Sequence, residues 1–329
     1  NLAETLDQIN NRPMAIQVLR RYLTEAHDSF KANLLLAKLF ARDKHWQRAL
    51  EQATAAAQLN PVSLEARVMY LRCQIELADP KRQAEITVLE NSIRDLIEAK
   101  DTLASRMLLF HLAVRKSDLQ EAAGILEAIT ARFGRTEQTL TAAAGLKMIR
   151  EDVTGCIELL EEKVEQYPDS SEMIKLLSWA YSRNEQFDKC RALLERCIQA
   201  AEDPFNQRKY RLWIAEVFLL QGRRDDAVQI YRQMAEENRS DIFVRRQLLT
   251  LLQASAPTDR LQQWVDEIKA AEGEDGWQWR YEQASLWAAD EETFSQRYEQ
   301  IVRMLEENLG LNPDDQASRI LLAASHERA

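Results

Sequence analysis

Cysteine and histidine are the residues most able to do chemistry in this 329-residue chain, and there are four of each. Cys190 and Cys197 stand seven apart in DKCRALLERC (188–197), two turns of a helix, so their thiols would share one face. Cys156 lies 34 residues before Cys190, and Cys73 stands alone. A redox pair would favour CxxC, and a structural metal would need four ligands at short spacing. Neither pattern is present. His27, His45, His111 and His326 are scattered, none with a second His or Cys at metal-ligand distance. There is no HExxH, no GxSxG and no glycine-rich loop to cradle phosphate. Carboxylate pairs such as Glu161–Glu162 and Glu236–Glu237 fall on faces that periodicity assigns to water. A general acid or base needs a desolvated pocket to tune its pKa, and such faces supply none. The sequence predicts that this segment is not an enzyme and holds no cofactor and no metal.

Composition points to helices. The chain is 46% hydrophobic and 29% charged, with 8 Gly and 7 Pro, roughly half the usual share of each. Abundant Ala, Leu, Glu, Gln and Arg lose little rotamer freedom in a helix. Net charge is −10. Residues 1–150 carry 21 Lys and Arg against 18 Asp and Glu, whereas 151–329 carry 22 against 35. An acidic chain without a basic block is a poor match for nucleic acid, since neutralised phosphates supply most of that affinity. No apolar run approaches the length of a membrane span. The compartment leans to the cytoplasm, with the periplasm left open because the chain begins at Asn1.

The organising signal is a repeat. Small or apolar anchors fall at Ala15, Ala49, Ala84, Ala122, Cys156, Cys190, Ala227, Leu261 and Ile301. They are separated by 34, 35, 38, 34, 34, 37, 34 and 40 residues. Within 170–202, Ile174, Leu177, Ala180 and Tyr181 recur in steps of three and four, a polar break spans 183–186, and Phe187, Cys190, Leu194 and Cys197 resume. That is a helix, a turn and a second helix. Pro168–Asp169–Ser170–Ser171 reads as a stop followed by N-cap candidates, with similar punctuation at Asn60–Pro61, Asp79–Pro80, Asp203–Pro204 and Asn312–Pro313.

In this pattern the chain resembles the tetratricopeptide repeat (TPR) family. Leu36, Ala37, Phe40, Ala49, Ala53, Ala56 and Pro61 fit its two-helix unit, as do Ile174, Leu177, Ser178, Tyr181, Cys190, Leu194 and Cys197. Arg211, Ile214, Ala215, Phe218, Gly222, Ala227 and Tyr231 fit in part, and 62–100 and 240–310 depart. The resemblance implies an all-α, right-handed α-solenoid of about nine stacked helix-turn-helix units in a single array over 1–329. Expected units are 1–28 (partial), 29–61, 62–100, 101–134, 135–168, 169–203, 204–239, 240–273, 274–313 and 314–329 (partial). Both ends enter mid-unit, which suggests a piece of a longer array. Cys156, Cys190 and Cys197 then occupy small-residue positions where helices approach, and buried thiols are expected.

The resemblance further implies a protein-interaction scaffold whose first helices line a groove for a partner protein or peptide. Between the packed positions lie Lys31, Lys38, Arg42, Met107, His111, Arg115, Lys175, Trp179, Arg183, Lys209 and Glu216. The candidate partner-binding set is Lys38, Arg42, His111, Arg115, Lys175, Trp179, Arg183 and Lys209. Their cationic bias suits an acidic segment. The alternative is an accessory region of a larger enzyme or export machine. DGWQWRYEQASLW (275–287) has two readings: rings that fill space between units, or an exposed patch for self-association.

Overall fold

Helix starts in this chain are written in Ser, Thr and Asp. The computed structural model describes residues 12–25, 28–311, 313 and 315–329, with only the backbone of 12–14; His27, Asn312 and the expected helix before residue 12 lie outside them. Among the described residues there are 18 helices and no strand. They are α1 (Arg12–Glu25), α2 (Phe30–Arg42), α3 (Trp46–Leu59), α4 (Leu64–Leu77), α5 (Gln83–Ala99), α6 (Leu103–Arg115), α7 (Leu119–Phe133), α8 (Glu137–Ile149), α9 (Val153–Glu161) and α10 (Ser171–Arg183). They continue as α11 (Phe187–Ala200), α12 (Pro204–Leu220), α13 (Arg224–Glu237), α14 (Ile242–Leu252), α15 (Thr258–Glu272), α16 (Trp277–Ala289), α17 (Glu291–Leu311) and α18 (Gln316–Arg328). Ser29, Ser63, Ser170, Asp118, Asp152, Asp203, Asp241 and Asp315 each accept a bond from a first-turn amide, and Thr102 and Thr136 form capping boxes.

Five of the turns inside the hairpins share one device. Lys44, Ser117, Glu151, Glu185 and Gly222 all have positive φ, between 56° and 73°. In each case the next amide bonds the carbonyl five residues back: His45 to Phe40, Asp118 to Ala113, Asp152 to Lys147, Gln186 to Tyr181 and Arg223 to Phe218. This Schellman closure satisfies the last carbonyls of the first helix and turns the chain back at once. Four of the five are not glycine, so the backbone accepts a left-handed strain of about 1 kcal/mol at each. The α4–α5, α14–α15 and α16–α17 connections lack the device, and at the first of these the cause is in the sequence. Pro80 sits three residues past the helix end, where the closing amide falls in the other turns, and has no N–H to donate. Five residues, 78–82, link the helices instead, and Ala84, expected at a packed anchor, is exposed. Ile86 and Leu89 take the buried positions of α5.

The chain divides into two compact units, Asn1–Leu193 and Leu194–Ala329. In the first, small residues let helices approach: Ala49 and Ala53 are fully buried beside Leu36, Ala37 and Phe40. Separate clusters follow around Ile86, Ile93 and Leu112, then around Phe110, Ala122 and Ile129. The second unit packs Ala215, Ala227, Tyr231, Val244, Leu248, Trp264 and Ile268 into one core. There Arg245 is almost wholly buried. Its guanidinium donates to the Ala235, Asn238 and Asp241 carbonyls and to Glu267 Oε2 at 2.7 Å, tying α13, α14 and α15 together. A buried charge is tolerable because every arm has an acceptor.

One expectation changes, and one pair of readings is decided for Trp279. Cys73, Cys156 and Cys190 are buried, but Cys197 is only half-buried. In 275–287, Trp279 is 8% exposed inside the second core, so this ring is not part of an exposed patch. Its flank is also covered, with Lys269 Nζ 4.6 Å from the ring centroid. Trp277, Tyr281 and Trp287 are half-buried.

Two measurements follow. Cys190 donates to the Ser178 carbonyl at 3.4 Å and is held above its ordinary pKa by burial, so a thiol reagent should label Cys197 first and Cys190 only on unfolding. Equal native rates at the two thiols would contradict the packing. Trp279→Ala should cost about 3–5 kcal/mol in urea unfolding; a loss below 1 kcal/mol would mean the ring is dispensable to the core.

Candidate binding cleft

Helices α4, α6, α8 and α10, each the first of its hairpin, present one face of helical spacing to a common cleft of about 730 Å³ in the first unit. Met107, His111 and Val114 of α6 lie at i, i+4 and i+7 and form its middle. Val68 and Arg72 of α4 line one side, and Gly145, Ile149 and Leu176 line the other. Small residues keep it open: a Cβ built on Gly145 meets nothing within 4 Å. The helix itself does not require glycine there, since a helical glycine is less stable than alanine by about 0.5–1 kcal/mol. Ile149 is 51% exposed, an apolar side chain facing water at the cleft edge.

The polar groups are few and specific. Arg72 pairs with Glu76 at 2.7 Å, yet its Nη1 is buried with no hydrogen-bond partner. Burial holds this guanidinium below its ordinary pKa, with Glu76 opposing. His111 stacks edge-on to Phe110 at 5.4 Å between centroids. Burial, helped by the Arg72 charge, pushes its imidazole down to about 3. His111 is therefore neutral in the cleft at any physiological pH. Glu137 accepts from Ser170 Oγ at 2.5 Å, which joins the cleft wall to the N-cap of α10.

Of the eight residues singled out in the sequence, His111 lines this cleft. Lys38 bonds Glu65 at 2.5 Å, and Arg42 is exposed at the end of α2. Arg115 is exposed and its Nε donates to the Ala78 carbonyl at 3.1 Å. Lys175, Trp179 and Arg183 form an exposed stripe on α10, with Trp179 49% exposed and Arg183 5.8 Å from its ring centroid. Trp179 points out where Tyr181 points in. Lys209 belongs to the second unit, where it bonds Asn206 and sits 4.7 Å from the Tyr210 ring centroid. Sequence reasoning passed over Arg72, Gly145, Ile149 and Leu176. Arg72 lies in the unit that departs from the repeat, and the others look like ordinary helix surface until four helices converge.

Among the described residues no group of three or more His, Cys, Asp or Glu is placed to hold a metal ion, and no helix is long and apolar enough to cross a membrane. The second unit's α12–α13 hairpin carries a family match: the tetratricopeptide repeat model covers residues 210–239. These residues thus form one tetratricopeptide-type repeat within an all-helical chain of stacked hairpins. Solved structures similar to it include the Naa15/Naa10 complex bound to HypK-THB, at 12% identity and TM-score 0.43, over 99% of this chain and 55% of that one. Cut9–Hcn1, a hetero-tetramer of the APC/C, matches at 11% and 0.45, over 95% and 59%. A tetratricopeptide repeat protein from Parabacteroides merdae ATCC 43184 matches at 9% and 0.40, over 90% and 98%. The chain thus spans about half the length of the Naa15/Naa10 match. No curated protein matches it in sequence.

The cleft histidine gives this helical-repeat protein an acid sensitivity with a defined sign. The unfolded chain takes up a proton near pH 6.5 and the native His111 refuses it until about 3, so stability falls as pH drops through that window. Between pH 7 and pH 5 the loss is up to about 2 kcal/mol. Urea melts of His111→Gln at the two pH values should show that difference largely removed; an unchanged slope would remove His111 as its source.

Proposed function

We propose that this TPR-type protein is a non-catalytic scaffold that captures a partner-protein segment in the α4–α6–α8–α10 cleft of its first unit. One observation carries the reading: an open apolar cleft holds a guanidinium whose buried Nη1 has no hydrogen-bond partner. Apolar anchors of a partner would gain about 25 cal/mol for each Å² removed from water. A carboxylate reaching Nη1 would form a charge-assisted bond in a partly desolvated site. The segment we assign is therefore apolar with an acidic residue opposite Arg72. Neutral His111 adds a hydrogen-bonding ring without a competing charge. Capped helices form the walls, so little ordering is left for the binding step.

Exposed cations on the same helices extend the attraction. Lys175 and Arg183 flank Trp179 on α10, and Arg115 ends α6. A half-exposed Trp beside Arg has the make-up of an interface hot spot. We assign this stripe to flanking contacts; Lys38 and Arg42 on α2 would serve a longer segment. Lys209 lies in the other unit and is outside this cleft.

Affinity capture with quantitative mass spectrometry tests the reading. Proteins held by the wild-type chain should fall at least tenfold on Gly145→Leu, which fills the cleft, and on Arg72→Met. Lys175→Glu with Arg183→Glu should weaken them less and in a salt-dependent way. Thermal melts confirm that the variants fold. An identical bound set from Gly145→Leu would overturn the proposal.

A further inference from the structure

The α4–α5 hairpin exposes a second cleft, of about 650 Å³, on the face of α4 turned away from Val68 and Arg72. It arises from the missing Schellman turn. With Pro80 in the connection, α5 is not folded tightly back on α4, and the trough between α3 and α5 is left open over the α4 floor. Leu71 and Leu89 are buried at its base. Val88 is 64% exposed and Leu77 40% exposed at its edges, and Ala84 is exposed as well. Val88 and Ala84 are apolar side chains of a second helix, where neighbouring hairpins bury such positions.

Two charged groups line it, and they differ in commitment. Glu85 is bonded to Arg82 at 2.8 Å. Arg67 is half-buried and has no ion pair among the described residues. The trough is therefore apolar with one uncompensated positive end. Its floor runs from Arg67 to Ala78, a rise of about 16 Å or three helical turns. All three walls are helices, whose ridges accept side chains spaced i, i+4 and i+7.

We infer that this trough docks an amphipathic helix of a partner chain, about three turns long, with an aliphatic stripe and a carboxylate set against Arg67. The site is separate from the α4–α6–α8–α10 cleft and does not depend on the function proposed for it.

A displayed library of 14-residue amphipathic helices, selected against the whole chain, supplies the probe. The enriched sequences should carry Leu, Ile or Met at i, i+4 and i+7 with an Asp or Glu near one end. Their binding, read by fluorescence anisotropy of the synthetic peptides, should weaken at least tenfold on Val88→Glu and on Arg67→Glu. It should be unchanged by Gly145→Leu. A central proline in the peptide should abolish it. Val88 is exposed, so Val88→Glu should melt like wild type and decides the matter even if Arg67→Glu misfolds. Undiminished binding to Val88→Glu, tolerance of the proline, or loss on Gly145→Leu would each overturn the inference. So would a Val88→Glu-sensitive dimer in light scattering without peptide, which would make a second copy the occupant.

Discussion

The backbone conformation of one residue in each of five hairpins sets how closely their helices pair. A left-handed residue at 44, 117, 151, 185 and 222 lets the next amide reach the carbonyl five residues back, so the first helix ends without orphan carbonyls. The chain reverses in three residues, and the second helix is delivered against the first. Only then do small residues such as Ala49, Ala122 and Cys156 matter, because they are buried where two backbones come close. Each turn is local and independent of its neighbours. A single substitution can therefore alter one hairpin while its neighbours hold.

Pro80 is such an alteration. It removes the closing amide at one connection and leaves α5 to pack through Ile86, Leu89, Ile93 and Leu96 rather than through Ala84. The adjoining α4 then carries two surfaces. One face meets α6 and α8 in the cleft that holds Arg72 and His111; the other lies open between α3 and α5.

The two units use charge differently along their first helices. In the second, Arg208 bridges α12 to Asp241 at the N-cap of α14 at 2.5 and 2.9 Å, and Arg246 reaches Glu282 of α16 at 2.6 Å. Glu282 has its pKa raised by burial, and Arg246 lies 5.8 and 5.9 Å from the Trp277 and Tyr281 ring centroids, so these groups are already engaged with one another. In the first unit, the cleft-lining Arg72 keeps a donor unused. The difference is one of pairing, since both units have arginines on these helices.

Much of this architecture was legible in the residues. The 34-residue step from Cys156 to Cys190 reappears between the left-handed residues 117, 151 and 185, and Ser170 caps α10 where the Pro168–Ser171 punctuation put a helix start. Periodicity, caps and small-residue spacing act over a few residues, so a sequence displays them directly. The left-handed turns were not legible, because Lys44, Ser117, Glu151 and Glu185 have none of glycine's signature. Nor were the choice between the two readings of Trp279, the partial exposure of Cys197, or the convergence of Arg72, His111, Gly145 and Leu176. Those residues come from four helices more than a hundred positions apart end to end. The sequence by itself determined which stretches are helices and which faces are apolar, since both follow from neighbours along the chain. Which charges stay unpaired and which apolar faces stay uncovered was decided only by tertiary structure, because that depends on how closely each helix is returned to the next.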